Sequence, residues 1–111
     1  MKKRVNDGLT FLAISYGEGS ETVNFEQASY FWAFTLSGGK VIKKELTSIC
    51  PRNNDERIAA VGDTILDVLI CRNFGSRSIA ELHRRKIALY TYSGGCSSAL
   101  RDYLSGALTE L

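Results

Sequence analysis

The alternation of apolar runs with helical patterns after residue 65 most strongly constrains what this chain can fold into. "LDVLIC" (66–71) is an apolar, β-branched run, which is typical of a strand buried on both faces. "IALYTY" (87–92) is a second strand, and a helical pattern follows each of the two. Because strand-helix-strand units place their strands parallel with right-handed crossovers, this part of the chain predicts a parallel sheet.

The first part of the chain has a different pattern, that of an antiparallel meander. "LTFLAIS" (9–15) is a compact apolar run that ends at a glycine-containing loop. "SYFWAFTL" (29–36) is aromatic, and "SGG" (37–39) separates it from "KVIKKEL" (40–46), which predicts a hairpin with a glycine turn. The segments 9–15, 29–36 and 40–46 are therefore expected to be three consecutive strands.

The first predicted helix begins with a variant of the capping box. Asn53 and Glu56 have the required spacing, and Ile58 and Val61 then recur at helical intervals, with Gly62 near the end. In the next helix, Ser76 or Ser78 is the expected cap, and the last helix is expected to turn Leu100, Tyr103 and Leu104 inward. The predicted order is β-β-β-α-β-α-β-α, an α/β fold with a mixed five-stranded sheet flanked by helices.

Length and composition indicate one globular domain. The 111 residues suffice for one core but not for two, and apolar and charged fractions of 44% and 23% are ordinary for globular proteins. We expect a tail at residues 1–8 and a single domain at 9–111.

Charge, hydropathy and cysteine usage exclude several classes of protein. The net charge of +2 is small and its basic residues are dispersed, which disfavours a nucleic-acid partner. The chain has neither an apolar run long enough to span a membrane nor a signal-peptide core after "MKKR". Its 3 cysteines are widely spaced, so we expect reduced thiols and a cytoplasmic location.

The cysteines fall where an open α/β sheet binds ligands, beyond the carboxyl ends of its parallel strands. Cys71 ends a predicted strand, and Cys96 follows Gly94 and Gly95 at the start of a predicted helix. Backbone N–H groups there can stabilise a thiolate or cradle an anion. Each cysteine can instead pack as a small apolar side chain, and for Cys50 we favour that alternative.

Catalytic chemistry lacks its usual residues in this sequence. The sole histidine, His83, lies in a basic last turn at the far end of its helix, away from both Cys71 and Cys96. Asp67 begins its strand, so it lies at the opposite end of the sheet from the acidic residues of the first loop. The sequence therefore favours a binding protein over an enzyme, and a hydrolase is the weakest alternative.

The motifs in this order resemble those of the dinitrogenase iron-molybdenum cofactor biosynthesis family, over residues 9–108. That family's first loop reads His-Phe-Gly-x-Ala, and here "NFEQASYF" keeps Phe25, Ala28 and Phe31 but has Asn24 and Glu26 in place of the histidine and glycine. "DVLICRNFGSRSIAEL", "KIALYTY" and "ALRDYLSGAL" follow the rest of the family pattern.

The resemblance implies a ribonuclease-H-like fold and a non-catalytic carrier of an iron-sulfur or iron-molybdenum-type cluster or a metal ion, which passes its cargo to a partner protein. Soft thiolate ligands suit such clusters. The alternative is a scaffold for a small anionic ligand or a partner that has lost cluster binding, since asparagine is a poor ligand for a soft metal. The candidate metal ligands are Cys71, Cys96 and Asn24, and the candidate ligand-binding loop residues are Phe25, Asn73, Gly75, Ser76, Gly94 and Gly95.

Overall fold

The computed structural model describes residues 8–111, so the expected tail lies outside the described residues except for Gly8. Within this range the elements follow the predicted order. The strands are β1 (Leu9–Tyr16), β2 (Tyr30–Ser37), β3 (Lys40–Ser48), β4 (Val68–Cys71) and β5 (Ala88–Thr91). The helices are α1 (Asn54–Gly62), α2 (Ser76–Arg84) and α3 (Cys96–Leu104), and two short 3-10 turns, Glu18–Ser20 and Phe25–Gln27, lie between β1 and β2.

The strands form one mixed sheet in the order β3-β2-β1-β4-β5. β1, β4 and β5 run parallel, whereas β1, β2 and β3 form an antiparallel meander. This confirms the predicted α/β class and the mixed five-stranded sheet. The ribonuclease-H-like designation is finer than these observations and stays a prediction.

The sheet separates two apolar cores. Strand residues alternate between them, so Ala13 and Leu69 pack with α1 and α2, whereas Ile14 and Ile70 pack against α3. We call these sides the α1/α2 face and the α3 face. All four residues of β4 are buried, as predicted for a strand covered on both sides.

The helix boundaries follow local signals closely, with one exception in the apolar stripes. Ile58 and Val61 are buried, and α1 ends at Gly62 as predicted. In α3, Leu100 and Tyr103 pack against the core, but Leu104 is 42% exposed, so its predicted inward position is wrong. Leu104 is the last residue of α3, and Leu108 beyond the helix packs against the α3-face core.

The two edges of the sheet differ in how they are covered. At the β5 edge, the C-terminal segment forms a bridge from Glu110 to Tyr90, and Leu111 N–H donates to the Leu89 carbonyl at 2.8 Å. At the other edge, every residue of β3 is exposed. No helix of the described residues is long and apolar enough to cross a membrane.

The Asn53 cap of α1 predicts a measurable share of the protein's stability. Its side chain accepts a hydrogen bond from Glu56 N–H at 2.9 Å. Asn53→Ala should lower the free energy of unfolding in urea by about 1 kcal/mol, because that N–H loses its acceptor. Asn53→Asp is the matched control, since it keeps an acceptor and should remain close to the native stability. An alanine variant as stable as the aspartate variant would contradict the assignment.

Candidate functional site

The loop between β1 and β2 (residues 17–29) crosses the carboxyl ends of β4 and β5, where the ligand site was predicted. Arg72 N–H donates to the Val23 carbonyl and Phe25 N–H donates to the Asn73 carbonyl, both at 2.9 Å. Further along, Thr22 N–H donates to the Gly94 carbonyl at 2.8 Å. The β1–β2 loop therefore covers this end of the sheet, and the backbone groups named here are used to hold it there.

Glu26 of this loop caps α2. Its Oε2 accepts hydrogen bonds from Gly75 N–H at 2.7 Å and from the Ser78 hydroxyl at 2.6 Å. The N-cap residue is Gly75, so the prediction that Ser76 or Ser78 caps this helix is wrong. A residue distant in sequence supplies the cap, and no local pattern around α2 signals it.

The environment of Glu26 favours its charged form. Burial of the carboxyl group raises its pKa, but the hydrogen bonds from Ser78 and Gly75 and the charge of Arg57 outweigh this, so the pKa is lowered from its ordinary value. A carboxylate of the protein thus sits where a helix N-terminus would otherwise attract an external anion. An anionic ligand would have to displace Glu26 to bind at the "RNFGS" turn.

Cys71 lies inside the α1/α2 core and is fully buried. Burial raises the pKa of its thiol well above the ordinary value, hydrogen bonds with Ser15 oppose the rise only partly, and the charges of Glu26 and Cys96 add to it. The protonated thiol is neither a nucleophile nor a metal ligand. In this arrangement Cys71 behaves as a core residue.

Cys96 occupies the other side of the sheet. It is the first residue of α3, it is 5% exposed within the α3-face core, and its Sγ donates to the Ser15 carbonyl at 3.3 Å. Burial, followed by the charge of Glu21, raises the pKa of this thiol. Cys71 and Cys96 therefore approach the end of β1 from opposite faces and do not share one opening.

The remaining predicted metal ligand does not complete a set. Asn24 is half-buried in the β1–β2 loop, where its backbone carbonyl accepts a hydrogen bond from Gln27 N–H at 3.0 Å. Across residues 8–111, no group of three or more histidine, cysteine, aspartate or glutamate side chains is arranged to hold a metal ion. The described residues thus do not supply the four-thiolate set that usually ligates an iron-sulfur cluster.

The predicted loop residues mostly hold the loops to each other. Phe25 is fully buried and stacks on Phe74 with ring centroids 5.9 Å apart. Asn73 accepts from Phe74 N–H through its side chain at 2.9 Å. Ser76 is exposed at the first position of α2, Gly95 is the N-cap of α3, and Gly94 adopts a φ of 146°, a conformation that favours glycine.

A cavity of about 230 Å³ opens beside Cys96 on the α3 face, and we call it the α3 pocket. Lys44 brings a cation to it, with Nζ 4.5 Å from the centroid of the Trp32 ring, and Tyr16 meets Trp32 edge to face at 5.6 Å. The sequence did not predict Lys44 and Trp32 as site residues. Placing them beside Cys96 requires knowledge of how α3 packs against β2 and β3. The pocket is lined by Tyr16, Ser20, Trp32, Phe34, Lys44, Cys96, Ser97 and Leu100.

The α3 pocket suits an anion better than the larger depression beside the β1–β2 loop. That depression, of about 550 Å³, is more open, and its lining contains Glu18 but neither a cysteine nor a basic side chain. In the α3 pocket, Lys44 and the N-terminus of α3 both favour negative charge. Cys96 adds the one thiol that borders either cavity.

Comparisons with known proteins identify the fold. No family profile matches the chain, and no curated protein matches its sequence. Among solved structures, a "putative dinitrogenase" from Methanocaldococcus jannaschii is 16% identical with a TM-score of 0.71, covering 91% of this chain and 93% of its own. A "putative NifB protein" from Thermotoga is 21% identical with a TM-score of 0.70, covering 92% and 93%.

A third solved structure, the apo form of the orange protein from Desulfovibrio gigas, is 14% identical with a TM-score of 0.72, covering 92% of both chains. At these identities the comparisons establish a shared fold. The chain therefore shares its fold with structures that include a putative dinitrogenase and a putative NifB protein, in agreement with the fold that the resemblance predicts.

The cap that Glu26 provides predicts a pH-dependent stability difference. Glu26→Gln should lower the free energy of unfolding at neutral pH by about 1 kcal/mol, less than is usual for a charge-assisted hydrogen bond because solvent screens this partly exposed group. Since the folded-state pKa is lowered, the native carboxylate stabilises the fold above the ordinary pKa of 4.5, and this contribution disappears as the pH falls through the folded value.

Urea unfolding of native protein and variant at a series of pH values measures this difference, with Glu18→Gln in the same loop as control. The stability gap should narrow steadily below pH 4.5. A gap that is constant with pH would show that the charge of Glu26 does not stabilise α2.

Thiol burial predicts the order in which the cysteines react. Cys50 is exposed, so the expectation that it packs as a small apolar side chain is wrong. Cys96 and Cys71 are buried and their thiols have raised pKa values. Because the thiolate is the reactive form, iodoacetamide should label Cys50 first, Cys96 much more slowly and Cys71 only after unfolding. Peptide mass spectrometry over a time course checks the order, and rapid native labelling of Cys71 would contradict its place in the core.

Proposed function

We propose that this protein is a non-catalytic carrier that binds a small anionic metal-sulfur cluster in the α3 pocket, with Cys96 as its one protein ligand. The observation that carries the proposal is the meeting of a thiol, the Lys44 ammonium and the N-terminus of α3 at one cavity. A soft sulfur ligand suits iron or molybdenum, and the two positive groups suit the negative charge of a cluster.

The class of cargo is supported by the fold and by the motifs. The solved structures with this fold include proteins named as a dinitrogenase, a NifB protein and the orange protein. The "NFEQASYF" and "DVLICRNFGSRSIAEL" segments resemble the corresponding motifs of the cofactor biosynthesis family. Both lines favour an accessory role in handling a metal-containing cofactor.

A single thiolate suits a carrier that must release its cargo. Sites that retain an iron-sulfur cluster usually use four cysteines, and residues 8–111 contain no group of even three potential ligands. In the proposed complex, the sulfides of the cluster fill most metal positions and Cys96 fills one. A receiving protein with more thiolates would then bind the cluster more tightly, and the reducing cytoplasm would keep Cys96 available.

The raised pKa of Cys96 gives the proposal a pH dependence. A metal displaces the thiol proton, so binding should become tighter as the pH rises toward that pKa. Binding must also break the hydrogen bond from Cys96 to the Ser15 carbonyl.

The alternative is a small anionic ligand that makes no bond to sulfur. It is favoured by the burial of Cys96, since the residue is 5% exposed and its thiol already donates a hydrogen bond to the Ser15 carbonyl. Lys44 and Ser97 line the same pocket and offer an ammonium and a hydroxyl to an anion. The cluster and the anionic ligand predict different effects of replacing Cys96, because only the cluster forms a bond to its sulfur.

Anaerobic reconstitution with iron, sulfide and molybdate tests the proposal. The native protein and the control Cys50→Ser should both gain a visible absorbance band with bound metal after desalting. Cys96→Ser should lose it, and Lys44→Gln should bind about tenfold more weakly, because a contact to a charged group is worth about 1.5 kcal/mol.

Two results would overturn the proposal. Absence of bound metal in the native protein would exclude the carrier function. Equal binding by native protein and Cys96→Ser would exclude the sulfur bond, and a melting temperature that molybdate alone raises equally in both would support the anion-binding alternative.

A further inference from the structure

We propose that β3 is a dimerisation surface, on which two copies of this chain pair antiparallel about a two-fold axis through Lys44. The strand lies at the edge of the sheet and all its residues are exposed. Among residues 8–111, only β2 pairs with it, whereas a bridge from Glu110 covers the opposite edge at Tyr90. The described part of the chain thus leaves one long sheet edge open.

Apolar side chains of this strand are exposed among its charged residues. Ile42 is 60% exposed and Leu46 is 49% exposed. Exposed edge strands with apolar side chains are templates for pairing with another strand. Pairing of this edge with a second copy of the chain would cover part of both side chains.

The charge pattern of β3 selects both the partner and the register. In a two-fold pairing that continues the sheet, facing residues must point to the same side of the sheet. One residue must therefore face its own copy, and the two-fold axis lies midway between those two residues. With the axis between the two copies of Lys44, Lys43 of each copy faces Glu45 of the other. Moving the axis to Lys43 or to Glu45 removes both pairs of opposite charges.

The two charged side chains are exposed and only loosely paired within their own chain. Lys43 and Glu45 point to the same face, where they form a loose contact of 3.8 Å with each other and are 65% and 58% exposed. The irregularity in the pairing of β3 with β2 lies at Ile42, beyond the central three residues. Opposite charges in directly facing positions stabilise antiparallel strands.

The axis residue brings two like charges together, and the structure reduces that repulsion. The Lys44 ammonium lies 4.5 Å from the Trp32 ring centroid, over a ring of its own chain. Two attractive pairs therefore oppose one repulsive contact whose charges are directed away from the axis. This inference does not depend on the proposed cargo, since the pairing uses the edge of β3 and not the contents of the α3 pocket.

Charge reversal with sedimentation analysis of the full chain tests the pairing. The native protein should dimerise in a concentration-dependent manner that weakens with salt. Lys43→Glu and Glu45→Lys should each be monomeric, because each places like charges opposite one another. The double variant Lys43→Glu/Glu45→Lys should dimerise again, and Lys40→Glu, which lies beyond the irregularity at Ile42 and outside these charge pairs, should remain dimeric as the control.

Cysteine cross-linking tests the register separately. In a Cys50→Ser background, Lys44→Cys should form a disulfide-linked dimer, because directly facing residues in antiparallel strands lie within disulfide reach. Leu46→Cys should not, since its own copy lies several residues away along the partner strand. Far-ultraviolet circular dichroism confirms that each variant is folded.

Three outcomes would overturn the inference. A native protein that is monomeric up to millimolar concentration has no such interface. A dimer that survives either single charge reversal, or that the double variant fails to restore, is assembled through another surface. None of these readouts involves a bound cluster, so failure here leaves the proposed carrier function standing.

Discussion

The carboxylate of Glu26 on the N-terminus of α2 is the contact on which the arrangement of this end of the molecule depends. It joins the β1–β2 loop to α2 through Gly75 and Ser78. With the loop held there, Phe25 is buried against Phe74 and the ends of β4 and β5 are covered. The position where an open α/β sheet usually binds its ligand is therefore occupied by the protein itself.

Because the loop covers that end of the sheet, the candidate site lies instead on the α3 face. Cys71 is enclosed on the α1/α2 face, whereas Cys96 borders a cavity on the α3 face. The antiparallel half of the sheet supplies Lys44 and Trp32 to that cavity, and the strand that carries Lys44 is exposed along its whole length. The chemistry available to a ligand thus combines one thiol with one cation.

Sequence patterns predicted the fold well because most of the signals are local. The apolar run ending at Cys71 and the capping pair of Asn53 and Glu56 act within a few residues, and crossover handedness orders the parallel strands. The site was harder to predict because its contacts are distant in sequence. Glu26 caps a helix that begins 50 residues later, and strand alternation alone does not say which helix covers the face of Cys71.

The exposure of β3 has a kinetic consequence for whatever occupies the α3 pocket. Lys44 of the exposed strand β3 lines one side of the pocket and α3 lines another, and Ser20 of the β1–β2 loop also borders it. Rotation of the exposed Lys44 side chain can then widen the entrance to the pocket. For the proposed carrier, the residence time of the cluster would follow from the bonds it makes, above all that to Cys96, and release would leave the fold intact.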